Sequence, residues 1–325
     1  MELVCPAGTP SAMRAAVDAG ADAVYCGLQD ETNARNFPGL NFTADELIDG
    51  VAAAHDRGVR VLVAINTFAK AGGTSLWQKA VETAIRAGAD AIILADLGIL
   101  GWASRTFPEQ RLHLSVQAAA STPPAIRFYV ERYGIKRIVL PRVLTVDEIA
   151  ALIADIPCEA EVFAFGGLCV MTEGRCLLSS YATGESPNMN GVCSPAAHVD
   201  YRQEGSELAV RLGGFTIDRY PAGQPAAYPT LCKGRFKVQG EVKHIFEEPT
   251  SLNTLPLLPA LKAAGVTALK IEGRQRGKAY LTATVKAFRT AIDALEAGQH
   301  VPAPKLEALT EGGRGTTGAY RKAWR

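Results

Sequence analysis

One arrangement recurs along the chain and constrains its fold more than any other feature. A helix-forming stretch ends on glycine, and a short apolar run follows. AAVDAGADAVYCG, AIRAGADAIILAD, YVERYGIKRIVLPR and LKAAGVTALKIEG all repeat it. The glycine is the expected C-terminal helix stop, where positive φ costs nothing. Runs of four to six apolar residues with no polar alternation suit strands covered on both faces, which is the condition of a parallel sheet. Alternation of such strands with helices implies βαβ units.

Eight runs fit this description: 3–8, 22–28, 59–66, 91–96, 111–117, 137–142, 159–165 and 267–273. Two helices carry capping-box signals, Thr43 with Glu46 and Thr145 with Glu148. Eight strands with helices between them predict an α/β fold of the (β/α)8 TIM-like barrel type. An open doubly wound sheet is the alternative, but no GxGxxG stretch follows the first strand. The pattern breaks once. About 100 residues separate strands seven and eight, with short β-like runs VDYRQEG, GRFKVQG and VKHIFEE. The expected organisation is a barrel of residues 1–166 and 251–300, an insert at 167–250 and a C-terminal tail at 301–325.

The insert holds four of the seven cysteines, Cys169, Cys176, Cys193 and Cys232, each beside turn-forming residues such as EGRC, NGVCSP and YPTLCKG. Structural zinc favours CxxC pairs, and none of these gaps is two. An iron–sulfur cube tolerates wide, irregular gaps because each thiolate holds one corner. Spacing alone leaves a 4Fe–4S cluster, zinc and free thiols all open. Cys5, Cys26 and Cys158 lie in or beside strands and read as small core hydrophobes.

Alternation along the strands points polar side chains into the barrel. In RLHLSVQ these are His113, Ser115 and Gln117; in ALKIEGR, Lys270 and Glu272; in strand seven, Glu161 and Phe163. Asn66, Asp96 and Arg142 close strands three, four and six, and the polar loop after strand two brings Arg35 and Asn36 over the same mouth. A structural barrel interior is layered with Val, Ile and Leu. Buried charge costs desolvation unless it is paired. Two readings follow: an internal ion pair of Lys270 with Glu161 or Glu272, or a polar ligand site at the strand ends.

Thirty-four basic and 33 acidic residues give a net charge of +1, which argues against a large nucleic-acid face. The start, MELVCPAGTP, has no basic leader or apolar core, and no run of about 18 apolar residues occurs, so a cytoplasmic protein without a membrane span is expected. An odd cysteine count in a long chain fits reduced thiols.

The stretch EVFAFGGLCVMTEGRCLLSS resembles the signature of the collagenase-like peptidase family, proteases of unknown catalytic type: E-x-F-x-x-G-[SA]-[LIVM]-C-x4-G-x-C-x-[LIVM]-S. Glu161, Phe163, Gly166, Leu168, Cys169, Gly174, Cys176, Leu178 and Ser179 match, and Gly167 stands where Ser or Ala is usual. The segments MELVCPAG, YATGESPN, CSPA, YPTLCKGR, EEPTSLNTL and KIEGRQR are similar to the branch of that family that serves ubiquinone biosynthesis. The resemblance implies that Cys169, Cys176, Cys193 and Cys232 ligate a 4Fe–4S cluster. It implies a heterodimer with a paralogue, UbiV, acting in oxygen-independent hydroxylation of the ring of a prenylated phenolic ubiquinone precursor. Prephenate is the implied hydroxyl donor. Other members hydroxylate bases in tRNA or rRNA, which keeps RNA modification as an alternative, and a non-catalytic electron-relay or scaffold role is another. Beside that implied chemistry, Arg35, Asn36, Arg142, Lys270 and Arg274 are candidate partners for a carboxylate donor, and His113, Lys270 and Glu272 are candidate catalytic groups. The short segment after residue 300 reads as too small for an added RNA-binding domain. Proteolysis is not expected, since neither HExxH nor GxSxG occurs.

Overall fold

The structure is a computed structural model that describes residues 1–190, 192–302 and 304–321. Seven strands come first, β1 (Glu2–Pro6), β2 (Ala23–Cys26), β3 (Arg60–Ile65), β4 (Ala91–Leu94), β5 (Leu112–Leu114), β6 (Arg137–Val139) and β7 (Glu159–Gly167). Between them run α1 (Pro10–Asp18), α2 (Ala44–His55), α3 (Thr74–Arg86), α4 (Leu97–Thr106), α5 (Pro123–Tyr133) and α6 (Val146–Ile153). The insert follows, with α7 (Ser180–Thr183), α8 (Pro187–Asn190) and strands β8 (Val199–Glu204), β9 (Glu207–Leu212), β10 (Phe215–Pro221), β11 (Arg235–Val238) and β12 (Glu241–His244). The chain then returns through β13 (Ser251–Asn253), α9 (Leu258–Ala263), β14 (Ala268–Ile271), α10 (Lys278–Glu296) and β15 (Gly315–Thr316).

Strands β1 to β7 pair in sequence, all parallel, and β14 pairs with both β1 and β7, which closes an eight-stranded barrel. The predicted (β/α)8 architecture is therefore present. Both capping boxes form: the Thr43 and Thr145 hydroxyls accept from the Glu46 and Glu148 N–H groups, and each glutamate returns a bond to the cap backbone. These bonds satisfy donors that the first helical turn leaves free.

The main core lies between the barrel and its helices, with Leu3, Val24, Val61, Val63, Ile92, Leu94, Leu114, Val162, Leu269 and Phe288 fully enclosed. Inside the barrel the apolar cluster is small, formed by Val4, Ala23, Tyr25, Leu62, Ala64, Ala91, Ile93 and Ala268. Three alanines on adjoining strands, Ala23, Ala64 and Ala91 on β2, β3 and β4, leave room for long charged side chains from β6, β7 and β14.

The insert is built of a three-stranded antiparallel sheet, β8–β9–β10, and the hairpin β11–β12. The expected β-like runs became β8, β11 and β12, while β9 and β10 were additional. Beyond the insert, β13 adds antiparallel to the end of β7, opposite Phe165–Gly167, and β15 adds parallel to β13. Part of the 301–325 segment is thus an extension of the barrel sheet, and Tyr320 is buried with its hydroxyl donating to the Phe163 carbonyl at 2.8 Å. Residues 303 and 322–325 of that segment lie outside the described residues.

Candidate functional site

At the C-terminal ends of the strands a cavity of about 590 Å³, counting its open end, is lined among others by Tyr25, Arg35, Asn66, Gln117, Arg142, Glu173, Lys270, Glu272 and Arg274. This is the end at which TIM barrels place their chemistry. Nine of the expected residues line it: Arg35, Asn66, Ser115, Gln117, Arg142, Phe163, Lys270, Glu272 and Arg274.

The floor beneath is an ion network. Arg137, 3% exposed, meets Glu2 at 2.5 Å, Glu159 at 2.7 Å and Glu161 at 3.2 Å. Glu161 is wholly buried, and its second oxygen takes the Lys270 ammonium at 2.7 Å. The alternative of an internal ion pair is therefore realised at Glu161, which serves the floor and does not line the mouth. Lys270 does both. Its ammonium sits 3.8 Å from the centre of the Tyr25 ring, a cation–π contact. Burial lowers the Lys270 pKa, and Glu161 opposes that shift.

Glu272 is the hub of the rim. One oxygen takes Arg35 at 3.1 Å; the other accepts the Gly167 N–H and lies 4.0 Å from Arg142. Burial would raise its pKa, but Arg35 and Arg142 bring it down to about 2. It stands as an ionised acceptor that positions two arginines. A carboxylate held that low is a weak base at neutral pH.

Arg142, 7% exposed, reaches Glu173 at 2.6 Å, donates to the Gly167 carbonyl and lies 4.1 Å above the Phe163 ring. Arg274, 5% exposed, has no ion pair among the described residues; it donates to the Asn33 side chain at 3.1 Å. Its pKa falls to about 10, chiefly through burial. The mouth thus gathers Arg35, Arg142, Lys270 and Arg274 against Glu272, Glu173 and a Glu161 already shared with Arg137. Gln117 Oε1 and Glu173 Oε2 are buried without a hydrogen-bond partner in the structure. Excess positive charge in a cleft suits a polar anion, while the two orphaned oxygens are acceptors and suit a hydroxyl or other donor on the same molecule.

Besides Glu161, three expected mouth residues sit elsewhere. Asp96 is the N-cap of α4, accepting from Ile99 N at 2.9 Å and Ala69 N at 3.1 Å. Asn36 lines a separate crevice with Phe37, Phe68 and Trp77. His113 is buried level with Arg137, its register partner, where its Nε2 accepts from Arg111 at 2.9 Å. Burial, then the charges of Arg137 and Arg111, push its pKa well below the ordinary value. It is a neutral ring below the mouth. The sequence reading missed Tyr25, Arg137 and Glu173. Strand parity alone marks Tyr25 and Arg137 as inward. Nothing periodic marks Glu173, which lies in the loop between Cys169 and Cys176.

Cys169 follows β7, Cys176 precedes α7, Cys193 follows α8, and Cys232 sits in the turn Leu231–Lys233. Burial raises Cys169 and Cys232 to about 12, with Glu173 adding at Cys169 and Cys193 adding at Cys232. Cys193 is among the lesser causes that raise Cys169 and Cys232, and Cys176 among those that raise Cys193 and Cys232. Among the described residues no three His, Cys, Asp or Glu side chains are drawn together tightly enough to hold a metal ion. Four thiols from four separate turns are a donor set that could hold a 4Fe–4S cluster, one sulfur to each iron. Cys5 and Cys26 are buried in strands, as small hydrophobes.

A model of Peptidase family U32 matches residues 8–316. This chain belongs to peptidase family U32. Over 330 residues the U32 chain is 33% identical to tRNA hydroxylation protein P of Escherichia coli (strain K12), covering 95% of its own length and 71% of that protein. It is 28% identical to a collagenase of Porphyromonas gingivalis, over 90% of its own length and 66% of that protein. It is 29% identical to the 23S rRNA 5-hydroxycytidine C2501 synthase of Escherichia coli (strain K12), over 91% of its own length but 40% of that protein. Among the described residues, no helix of this U32 chain is long and apolar enough to cross a membrane.

Proposed function

We propose that this chain is an oxygen-independent hydroxylation factor. In this reading its barrel mouth binds an anionic hydroxyl donor, prephenate, and Cys169, Cys176, Cys193 and Cys232 hold a 4Fe–4S cluster. The observation that carries the reading is the surplus of buried cations at the mouth, with Arg274 lacking a carboxylate partner among the described residues. A dicarboxylate would fill that surplus, and guanidinium groups suit its two-oxygen geometry. Relatives named for hydroxylation, at about one-third identity over nearly the whole chain, support the reaction class.

The chemistry sets what the site must do. Prephenate delivers oxygen at the level of water when its ring C–OH bond breaks with loss of carbon dioxide, leaving phenylpyruvate. Exchanging an aryl C–H for C–OH with that oxygen releases two protons and two electrons, which a one-electron carrier protein must accept in two steps. When bound, the cluster supplies a one-electron relay toward an acceptor outside the chain. Arg35, Arg142 and Arg274 orient the donor's carboxylates. Glu272 holds two of those arginines in place, and Lys270 gives or takes a proton at the floor of the mouth. Among the described residues the buried Ser179 and Ser180 hydroxyls have no hydrogen-bond partner.

The substrate in this reading is the ring of a prenylated phenolic ubiquinone precursor, with UbiV as the partner subunit in the cytoplasm. The RNA-acting relatives favour a second reading, hydroxylation of a tRNA or rRNA base. Deleting the chain and growing cells without oxygen separates the two. Loss of ubiquinone with build-up of the unhydroxylated phenol supports the first. An unchanged quinone pool with loss of a hydroxylated nucleoside supports the second. For the site itself, Lys270→Met and Glu272→Gln are expected to abolish hydroxylation while iron and sulfide content stays at the wild-type level. Activity surviving both changes would sink the assignment of the mouth.

A further inference from the structure

The loop that runs from Cys169 to Cys176 is tied to the mouth at three points. Glu173, midway along it and 6% exposed, holds Arg142 Nε at 2.6 Å. Gly174 lies so close to Gln117 that a Cβ there would meet the Gln117 carbonyl oxygen at 2.0 Å. Just before the loop, the two backbone groups of Gly167 engage Arg142 and Glu272. All four partners, Arg142, Gln117, Glu272 and Glu173 itself, line the mouth. Glu173 therefore belongs to both places. Its second oxygen is buried without a partner among the described residues and can accept from a hydroxyl or other donor arriving in the cavity.

We propose that Glu173, through Arg142, is a positioning residue that couples the cysteine loop to the anion site. This rests on the proposed function, since it presumes a dicarboxylate in the mouth. The physical argument is one of linkage. Arg142 is buried and charged, so it needs the Glu173 carboxylate to stay where it is. Glu173 keeps its place only while its loop is ordered, and ligation at the two ends of the loop orders it. Filling the cysteines then favours the Arg142 position that a dicarboxylate uses, and a bound dicarboxylate favours the ordered loop by the same factor.

The test measures binding of prephenate by calorimetry to the anaerobically purified protein and to the same protein stripped of iron by a chelator. It uses wild type, Glu173→Gln and Glu173→Ala, with iron content measured in each. The expected wild-type result is affinity at least about fivefold weaker after stripping, the lower end of typical coupling. In both variants that ratio is expected to fall below about twofold, with iron content of the unstripped protein retained. Reciprocally, prephenate is expected to slow chelator-driven iron release from wild type but not from the variants. A wild-type ratio near one overturns the proposal, as does a variant that keeps the full wild-type ratio. Absence of prephenate binding in every form would instead overturn the reading of the mouth itself, and the coupling with it. A variant that fails to fold is recognised by circular dichroism, and the iron-release comparison on wild type alone then decides: no slowing by prephenate overturns the coupling.

Discussion

Glu161 shows how a single residue sets the energetics of the barrel. Its carboxylate is fully enclosed and shared by Arg137 and Lys270, so removing it leaves two buried cations without their common partner. Breaking a buried pair from one side costs about 3–5 kcal/mol. Glu161→Ala is therefore expected to lower the unfolding free energy by about that amount in urea titrations; a loss below about 1 kcal/mol would mean that the floor network is not holding the barrel. Glu272 is the corresponding residue at the rim, and its effect is visible in pH. Its value in the folded chain, about 2, lies below the ordinary 4.5, because Arg35 and Arg142 overcome the opposing effect of burial. A depressed acid adds stability that is fully present above its unfolded pKa and is lost as pH falls through its folded pKa. The contribution, on the order of 3 kcal/mol, is expected to vanish between about pH 4.5 and 2. Stability curves of wild type and Glu272→Gln should converge over that window. Parallel curves would show that Glu272 is not held by its arginines. Parity along the strands made the inward direction of both glutamates legible in the sequence. Which one would face a ligand was not legible, because that depends on the depth of each side chain in a barrel whose register no single strand reveals. Asp96 shows the opposite failure: an aspartate that ends a strand also starts a helix, and capping took it.

At the scale of elements, local signals and local structure agree where a helix is concerned. The box at Thr145 and Glu148 formed as its spacing implied, and Thr145→Ala is expected to cost about 1 kcal/mol in thermal unfolding, since the Glu148 N–H loses its acceptor. The cysteine loop obeys no such periodic rule. Its path rests on Gly174, which takes φ +81° and leaves no space for a side chain against the Gln117 backbone. Backbone cannot yield as a flexible side chain can. Gly174→Ala is expected to lift the loop, which should appear as faster loss of iron to a chelator and a stability drop of about 1–3 kcal/mol. Wild-type iron retention in that variant would show that the loop's seat on the barrel is not needed for its cysteines to bind. The missed role of Glu173 follows from the same physics, since a loop residue acquires its partner only when the whole loop is placed. The missed strands β9 and β10 had a signal, the Gly213–Gly214 turn between two β-rich runs, and they pair as a direct hairpin across it.

At the scale of the whole molecule, the barrel, the insert and the C-terminal segment meet at one point, the end of β7. There Phe163 stacks under Arg142, Leu168 precedes Cys169, and β13 lies along Phe165–Gly167. The segment containing β15 closes this junction from outside. Gly318 packs so near Leu168 that a Cβ would lie 2.9 Å from its Cδ1, and the Tyr320 hydroxyl reaches the Phe163 carbonyl. Length alone marks residues 301–325 as a short tail. Yet a two-residue strand with one buried tyrosine is enough to complete a sheet edge that would otherwise expose unpaired backbone. Ending the chain after Arg314 removes β15, the Tyr320 hydrogen bond and the cover over Leu168 together. The loss should therefore exceed the roughly 1 kcal/mol expected for Tyr320→Phe, which deletes the bond alone. The truncated chain is expected to melt at a clearly lower temperature and to lose iron faster than Tyr320→Phe does. Equal melting and equal iron loss for the two would mean that the tyrosine is the segment's whole contribution. A truncated chain as stable as wild type would mean that the end of β7 is held from the barrel side, by Arg142 and Glu272.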